Sequence, residues 1–309
     1  MKNFAFNDVV SALTHIRGGI PAIKLSSRVR HAEHKSVFFG PSYDFHDIQE
    51  YDPQRDLPNQ IIRHLVGPDD EIYSRKCVEY HDIKVIFLTD LSSSIDSGFN
   101  FLKRRLLLET VGYVGLTGAR YQDPIGLVGF AEKVVLNLPA RGGQSNFYHL
   151  LKIVYDFLAE RDPDDKKTQK RETDFFLALD FIRRSFNRRC FIPIISDFVG
   201  FEKVVSSSLL RTVASKHEMV FLFLDDPLEL SLVGGIGFVR REDIETGKQF
   251  MISRSKLAKA GEEMRVKRKE LRKELARLGI QSKVLEYGKH FSRLFRFFES
   301  RRKSQIGRQ

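Results

Sequence analysis

The chain has 309 residues, 42% hydrophobic and 29% charged, with 21 Gly and 10 Pro, which excludes collagenous, low-complexity and disordered classes and is enough for a buried core in one large or two small domains. Two cysteines, Cys77 and Cys190, exclude a disulfide framework and a Cys-based zinc site and fit a reducing compartment. The formal net charge is +11, and residues 251–309 hold 18 Lys and Arg against 6 Asp and Glu, so the whole excess sits in the last fifth.

The start, MKNFAFNDVV, lacks the basic-then-apolar layout of a signal peptide, and no apolar run reaches the roughly 18 residues of a membrane span. A cytoplasmic protein is the expectation. Residues 20–80 mix short β-prone pieces with Gly, Pro and Asp turns, which predicts an N-terminal β-rich subdomain over 1–80. Residues 83–90, IKVIFLTD, form an apolar run rich in β-branched residues and ending in a carboxylate, the pattern of a strand buried on both faces. A polar loop, LSSSIDSG, follows, and then Phe101–Arg120, free of proline and apolar on most of its surface, predicts a buried helix. Residues 125–130 give the next strand and Lys133–Leu138 its hairpin partner, and Leu150, Leu151, Val154, Phe157 and Leu158 recur at helical spacing within Phe147–Leu158.

The charged stretch 160–172 predicts an exposed loop, and Thr173–Phe186 a helix with Phe176, Leu177, Ala178, Leu179 and Ile182 as candidate core positions. CFIPIISD over 190–197 is a second buried strand ending in Asp, Val204–Ser215 a helix with the serines 206–208 as a cap, and MVFLFLDD over 219–226 a third such strand. Residues 255–279 predict a charged helix with Leu257, Ala260, Met264, Leu271, Leu275 and Leu278 on one stripe and Gly279 as its stop. A last strand, Gln281–Glu286, and a last helix, His290–Lys303, close the chain. Strands alternating with helices imply an α/β, doubly wound, mostly parallel sheet over residues 81–309, with a basic helical insertion at 254–280.

In an open α/β sheet, ligands bind at the carboxyl ends of the strands, and three predicted strands end there in acids: Asp90, Asp197 and Asp225/Asp226. Asp90, Ser92 and Ser94 alternate toward one side of their loop. One carboxylate with two hydroxyls is an all-oxygen set suited to a hard cation such as Mg²⁺, which takes octahedral geometry at about 2.1 Å; the same residues also suit a plain helix cap. His31, His34 and His46 admit either a zinc site or a surface, hydrogen-bonding role. The chain lacks GxxxxGK, GxSxG and HExxH, and a haloacid dehalogenase-type phosphotransferase would need an acid where Ser92 stands.

The strand followed by Asp90-x-Ser92-x-Ser94 resembles the metal-ion-dependent adhesion site of von Willebrand factor A-type domains. The wider pattern resembles the bacterial family called domain of unknown function fifty-eight, encoded beside MoxR-type AAA+ ATPases. It consists, in order, of His34-Lys35-Ser36 with Gly40 to Phe45; FLTDLSSS; Asp123 to Phe130; Glu172-Thr173-Asp174 with Ala178-Leu179; Ile195 to Phe198; Asp225 to Glu229; and Glu245-Thr246-Gly247. That resemblance, spanning roughly 30–303, implies a von Willebrand factor A-like fold. It also implies a metal site of Asp90, Ser92, Ser94, Thr173 and Asp197 for Mg²⁺ or another divalent cation. Glu172 replaces the Gly that precedes the threonine in the family, which leaves Ser145, in GGQSNF, as the alternative to Thr173. The block around Arg55 to Pro58 departs from the family pattern, and the chain has no Trp.

The function implied is a non-enzymatic, metal-dependent interaction module, partnered by a MoxR-type AAA+ ATPase in protein maturation or complex assembly, with a partner carboxylate completing the ion. Two alternatives stand beside it. One is a Mg²⁺-dependent phosphohydrolase or nuclease using the same acids. The other is binding of nucleic acid or an acidic surface through the basic C-terminal segment.

Overall fold

The computed structural model describes residues 4–15, 43–51, 61–66, 72–79, 84–96, 102–120, 123–160, 173–225, 238–242 and 249–306. The chain divides into a smaller unit, Arg28–Asp82, and a larger one made of Met1–Ser27 and Ile83–Gln309. In the smaller unit β1 (Tyr43–Glu50), β2 (Ile61–Val66) and β3 (Ile72–Glu79) form an antiparallel sheet in the order β1-β3-β2, with a register shift between Phe45 and Asp47 that falls on His46. His31, His34, the 34–42 part of the first family block and Arg55 to Pro58 lie outside the described residues.

The larger unit opens with α1 (Phe6–His15) and is built on a six-stranded sheet. Its strands are β4 (Lys84–Asp90), β5 (Ile125–Phe130), β6 (Val134–Arg141), β7 (Cys190–Ser196), β8 (Glu218–Asp225) and β11 (Gln281–Glu286), in the order β11-β8-β7-β4-β5-β6. All neighbours are parallel except β5 and β6, which form a hairpin. The expected mixed α/β architecture with a mostly parallel sheet is therefore present. Apolar residues alternate through the central strands to both faces, as a sheet covered on both sides requires. Val85, Phe87, Phe191 and Val220 join one core and Ile86, Leu88, Ile192 and Phe221 the other.

The first core is covered by α1, α2 (Leu102–Arg120), α3 (Gln144–Ala159) and α8 (His290–Ile306). The second is covered by α4 (Phe175–Ser185), α5 (Glu202–Val205), α6 (Ser208–Lys216) and α7 (Arg254–Arg277). Helix α2 is buried along nearly its whole length, and it approaches α3 so closely that a Cβ on Gly115 would lie 2.1 Å from the Phe147 ring. A hairpin of β9 (Phe238–Glu242) and β10 (Gln249–Ser253), which the sequence reading did not anticipate, precedes α7.

Two local readings are corrected. The single helix expected over Val204–Ser215 is two, because the Ser207 side chain accepts a hydrogen bond from Leu210 N at 3.2 Å and so starts α6 afresh. The helix expected from Thr173 begins at Phe175, and Phe176 and Leu177, counted as core, are exposed. The chain runs from β4 to β5 on one side and returns through α4 to β7 on the other side of β4. Consecutive crossovers thus part at β4 and β7, which opens a crevice outside their carboxyl ends.

Candidate functional site

Asp90 ends β4 and Asp197 directly follows β7, and the two strands pair in parallel with Thr89 opposite Ile195. That register sets Asp90 beside Ser196 at the crevice. Asp90 Oδ2 accepts a hydrogen bond from Ser196 Oγ at 2.6 Å, and Asp90 Oδ1 accepts one from the backbone N–H of Ser92 at 2.9 Å. The second bond folds the chain over its own carboxylate, as Asp does at turns, and starts a short 3₁₀ turn at Ser93–Asp96. Leu91 N donates to Phe130 O at 2.7 Å and ties the same loop to the end of β5. The result brings the Ser92 and Ser94 hydroxyls to 2.9 Å from each other.

Asp197 is held from two sides. Its Oδ1 accepts from Val199 N at 3.3 Å, and its Oδ2 faces the Lys103 ammonium, from the first turn of α2, at 3.3 Å. Ser196 Oγ also accepts from Phe198 N at 2.9 Å. Asp90, Ser92, Lys103, Ser196 and Asp197 are all buried. Burial, then the nearby Asp197 carboxylate, push the Asp90 carboxyl up to about 6, with the hydrogen bonds from Ser196 and Ser92 pulling the other way. The site thus holds two carboxylates under repulsion, one ammonium and two adjacent hydroxyls.

Thr173 is half-buried just ahead of α4. Its neighbour Asp174 donates its N–H to Ala131 O at 2.9 Å, at the end of β5, and caps α4 by accepting from Leu177 N at 3.0 Å. The backbone therefore brings Thr173 to the edge that carries Asp90 and Asp197. Ser145 is at the opposite edge: β6 runs antiparallel to β5 with Arg141 opposite Ile125, so the start of α3 lies at the amino ends of the parallel strands. Between these two candidates the topology leaves only Thr173 near the crevice. Asp225, the third strand-terminal acid, is engaged by Arg268 of α7 instead, and Asp226 lies outside the described residues.

Sequence reasoning missed Lys103 and Ser196. A lysine in a first helical turn reads as solvated, but one in a helix apolar on most of its surface has nowhere to go without an acid. That was the available signal for Lys103. Ser196 carried none, because a hydroxyl beside a strand-end Asp is common in any loop. Among the described residues there is no group of three or more His, Cys, Asp and Glu that could hold a metal, so any cation here relies on hydroxyl oxygens. No described helix is long and apolar enough to cross a membrane.

Comparison with known proteins matches residues 68–274 to DUF58, a family of proteins of unknown function. An uncharacterized protein of Mycobacterium tuberculosis and one of Mycobacterium bovis are each 22% identical over 254 residues, covering 77% of this chain and 77% of theirs. Among solved structures, a conserved hypothetical protein, BatB of Bacteroides thetaiotaomicron, is 18% identical with a TM-score of 0.42, over 73% of this chain and 99% of that one. An aerotolerance-related membrane protein of Bacteroides fragilis is 19% identical with a TM-score of 0.35, over 63% of this chain and 99% of its own.

Proposed function

This chain belongs to the DUF58 family of proteins of unknown function, and we propose that it is a cytoplasmic, metal-dependent protein-interaction module of von Willebrand factor A-like fold, working with a MoxR-type AAA+ ATPase in protein maturation or complex assembly. The observation that supports this reading is the 2.9 Å separation of the hydrogen-bonded Ser92 and Ser94 hydroxyls in the loop that folds over the Asp90 carboxylate. Adjacent ligands of an octahedral ion bound at about 2.1 Å stand about 3 Å apart, so the two hydroxyls are spaced as neighbouring ligands of Mg²⁺.

In this reading Ser92 and Ser94 ligate directly, with Thr173 as the third hydroxyl. Asp90 is committed to hydrogen bonds from Ser92 N and Ser196 Oγ, so it fixes the loop and supplies charge. Asp197 supplies the second charge and shares it with Lys103. With so few protein carboxylates, the ion would offer an open position to an Asp or Glu of the partner. The site's own acids are too few for the two-metal hydrolysis considered as an alternative.

Binding of the purified AAA+ ATPase to the immobilised chain, in Mg²⁺ and in EDTA, tests the reading. Binding in Mg²⁺ that EDTA and Asp90→Ala both abolish, with the variant still folded, is expected. Equal binding in EDTA would refute metal dependence.

A further inference from the structure

Among the described residues, the larger unit exposes four large hydrophobic side chains: Phe176 (41%), Leu177 (39%), Val199 (53%) and Val266 (47%). All four belong to the carboxyl edge of the sheet. Phe176 and Leu177 lie in the first turn of α4, which is tied through Asp174 to the end of β5. Val199 is two residues beyond Asp197. Val266 is two residues before Arg268, which pairs with Asp225 at the end of β8. The remaining perimeter of the unit shows no such side chain among the described residues.

Val199 is held outward by a built device. Phe198 has φ 56, the one positive φ at a non-glycine among the described residues, and Gly200 follows at φ 78. The left-handed conformation strains a bulky residue. It is fixed here by the Phe198 ring, buried against Phe223 at 4.4 Å and Phe201 at 5.3 Å, and by two N–H bonds into the site: Phe198 N to Ser196 Oγ and Val199 N to Asp197 Oδ1. Ser196 and Asp197 of the site thus set the backbone that turns an aliphatic side chain to solvent. The surroundings are positive. Helix α7 holds ten Lys and Arg against four Glu, and Arg265, Lys267 and Lys269 are exposed around Val266. Exposed apolar side chains gathered beside a buried polar site mark a protein-interaction surface, and the excess cations select an acidic partner.

We propose that this edge receives an acidic protein segment in which a carboxylate, directed at the Ser92–Ser94 hydroxyls, is flanked by aliphatic or aromatic side chains that seat on Val199, Phe176 and Leu177, while further acids of the segment meet the cations of α7. The carboxylate part rests on the metal-dependent reading above; the apolar rim does not. The carboxylate provides a single anchor, and the rim selects which acidic residues of a partner are accepted.

An array of short peptides, each with one central Glu and neighbours varied among Leu, Phe, Ser and Glu, probed with the full chain in Mg²⁺, tests this. Retention is expected only where Glu is joined by Leu or Phe, and Val199→Ser or Phe176→Ser, both surface changes, should weaken it roughly tenfold. Retention that EDTA removes but Val199→Ser leaves intact would overturn the rim and keep the metal reading. Retention indifferent to EDTA but lost in Val199→Ser would keep the rim and refute the metal. No retention on any peptide, self-association that Val199→Ser abolishes, or binding of a labelled oligonucleotide that depends on Val199 and Lys269 would each overturn the proposal.

Discussion

Lys103 and Asp197, 94 positions apart, meet at 3.3 Å with each side chain only 3% exposed. A buried ion pair costs desolvation on both sides, and removing one partner strands the other charge, a loss of about 3–5 kcal/mol. Lys103→Met should therefore destabilise the chain by about 3 kcal/mol in EDTA, read as a shift in the urea midpoint. The same variant frees Asp197 for a divalent ion. Mg²⁺ should then restore more stability to Lys103→Met than it adds to the unmodified protein, and titration calorimetry should show tighter Mg²⁺ binding. An Mg²⁺ response equal in the two proteins would make Lys103 a structural counter-charge only.

Ser92 and Ser94 make the complementary case. Their hydroxyls face each other, while the bond that shapes the loop uses the backbone of Ser92, which an alanine keeps. Each alanine removes the hydroxyl–hydroxyl hydrogen bond, and Ser92→Ala also a side-chain bond to Asp90, so Ser92→Ala and Ser94→Ala should cost only about 1 kcal/mol in EDTA, well short of Lys103→Met. They should nevertheless lose the Mg²⁺-induced stabilisation. A loss of stability in EDTA comparable to that of Lys103→Met would show the hydroxyls to be structural.

The sheet was legible because parallel strands buried on both faces must be continuous apolar runs, as IKVIFLTD and CFIPIISD are up to the acid that ends each. The parallel edge then follows from topology, and Asp90 and Asp197 with it. Register is not written so plainly. That Ser196 stands beside Asp90 depends on Thr89 pairing with Ile195, and that Ser145 sits at the wrong edge depends on β6 turning back along β5. Lys103 was hidden for another reason: its sequence neighbours Arg104 and Arg105 make the helix start look solvated, yet Arg104 is itself buried and donates to Leu158 O at 2.9 Å. The β9–β10 hairpin escaped notice because FVRRE and QFMIS are short and carry no clean alternation.

His217 predicts a pH dependence of known sign. It is buried at the end of α6, and its Nδ1 accepts a hydrogen bond from Cys190 N at 3.2 Å, which requires the neutral ring. Burial, with Lys216 and Arg189 nearby, holds its pKa down to about 4 against an ordinary 6.5. A histidine depressed in the folded state contributes stability that is full above the unfolded value and is lost as pH falls toward the folded one. The unmodified protein should therefore lose stability relative to His217→Gln between pH 6.5 and 4, in urea unfolding followed across that range. A constant difference between the two curves would show that His217 does not titrate in that window.

Gly115 places α2 against α3. Helical glycine is ordinarily improved by alanine, by about 1 kcal/mol, but here the added methyl would sit 2.1 Å from Cε2 and 2.7 Å from Cζ of Phe147, a ring that is itself fully buried. The ring cannot swing aside without displacing the core it fills, so overpacking, typically about 1–3 kcal/mol, outweighs the gain in propensity. Gly115→Ala should be destabilising by about 1–2 kcal/mol, and Gly115→Ala with Phe147→Leu should recover part of that loss because the smaller side chain vacates the contested space. Thermal unfolding of the two single variants and the double variant gives the coupling directly. Additive effects, with no recovery in the double variant, would mean that α2 and α3 do not meet through these two residues.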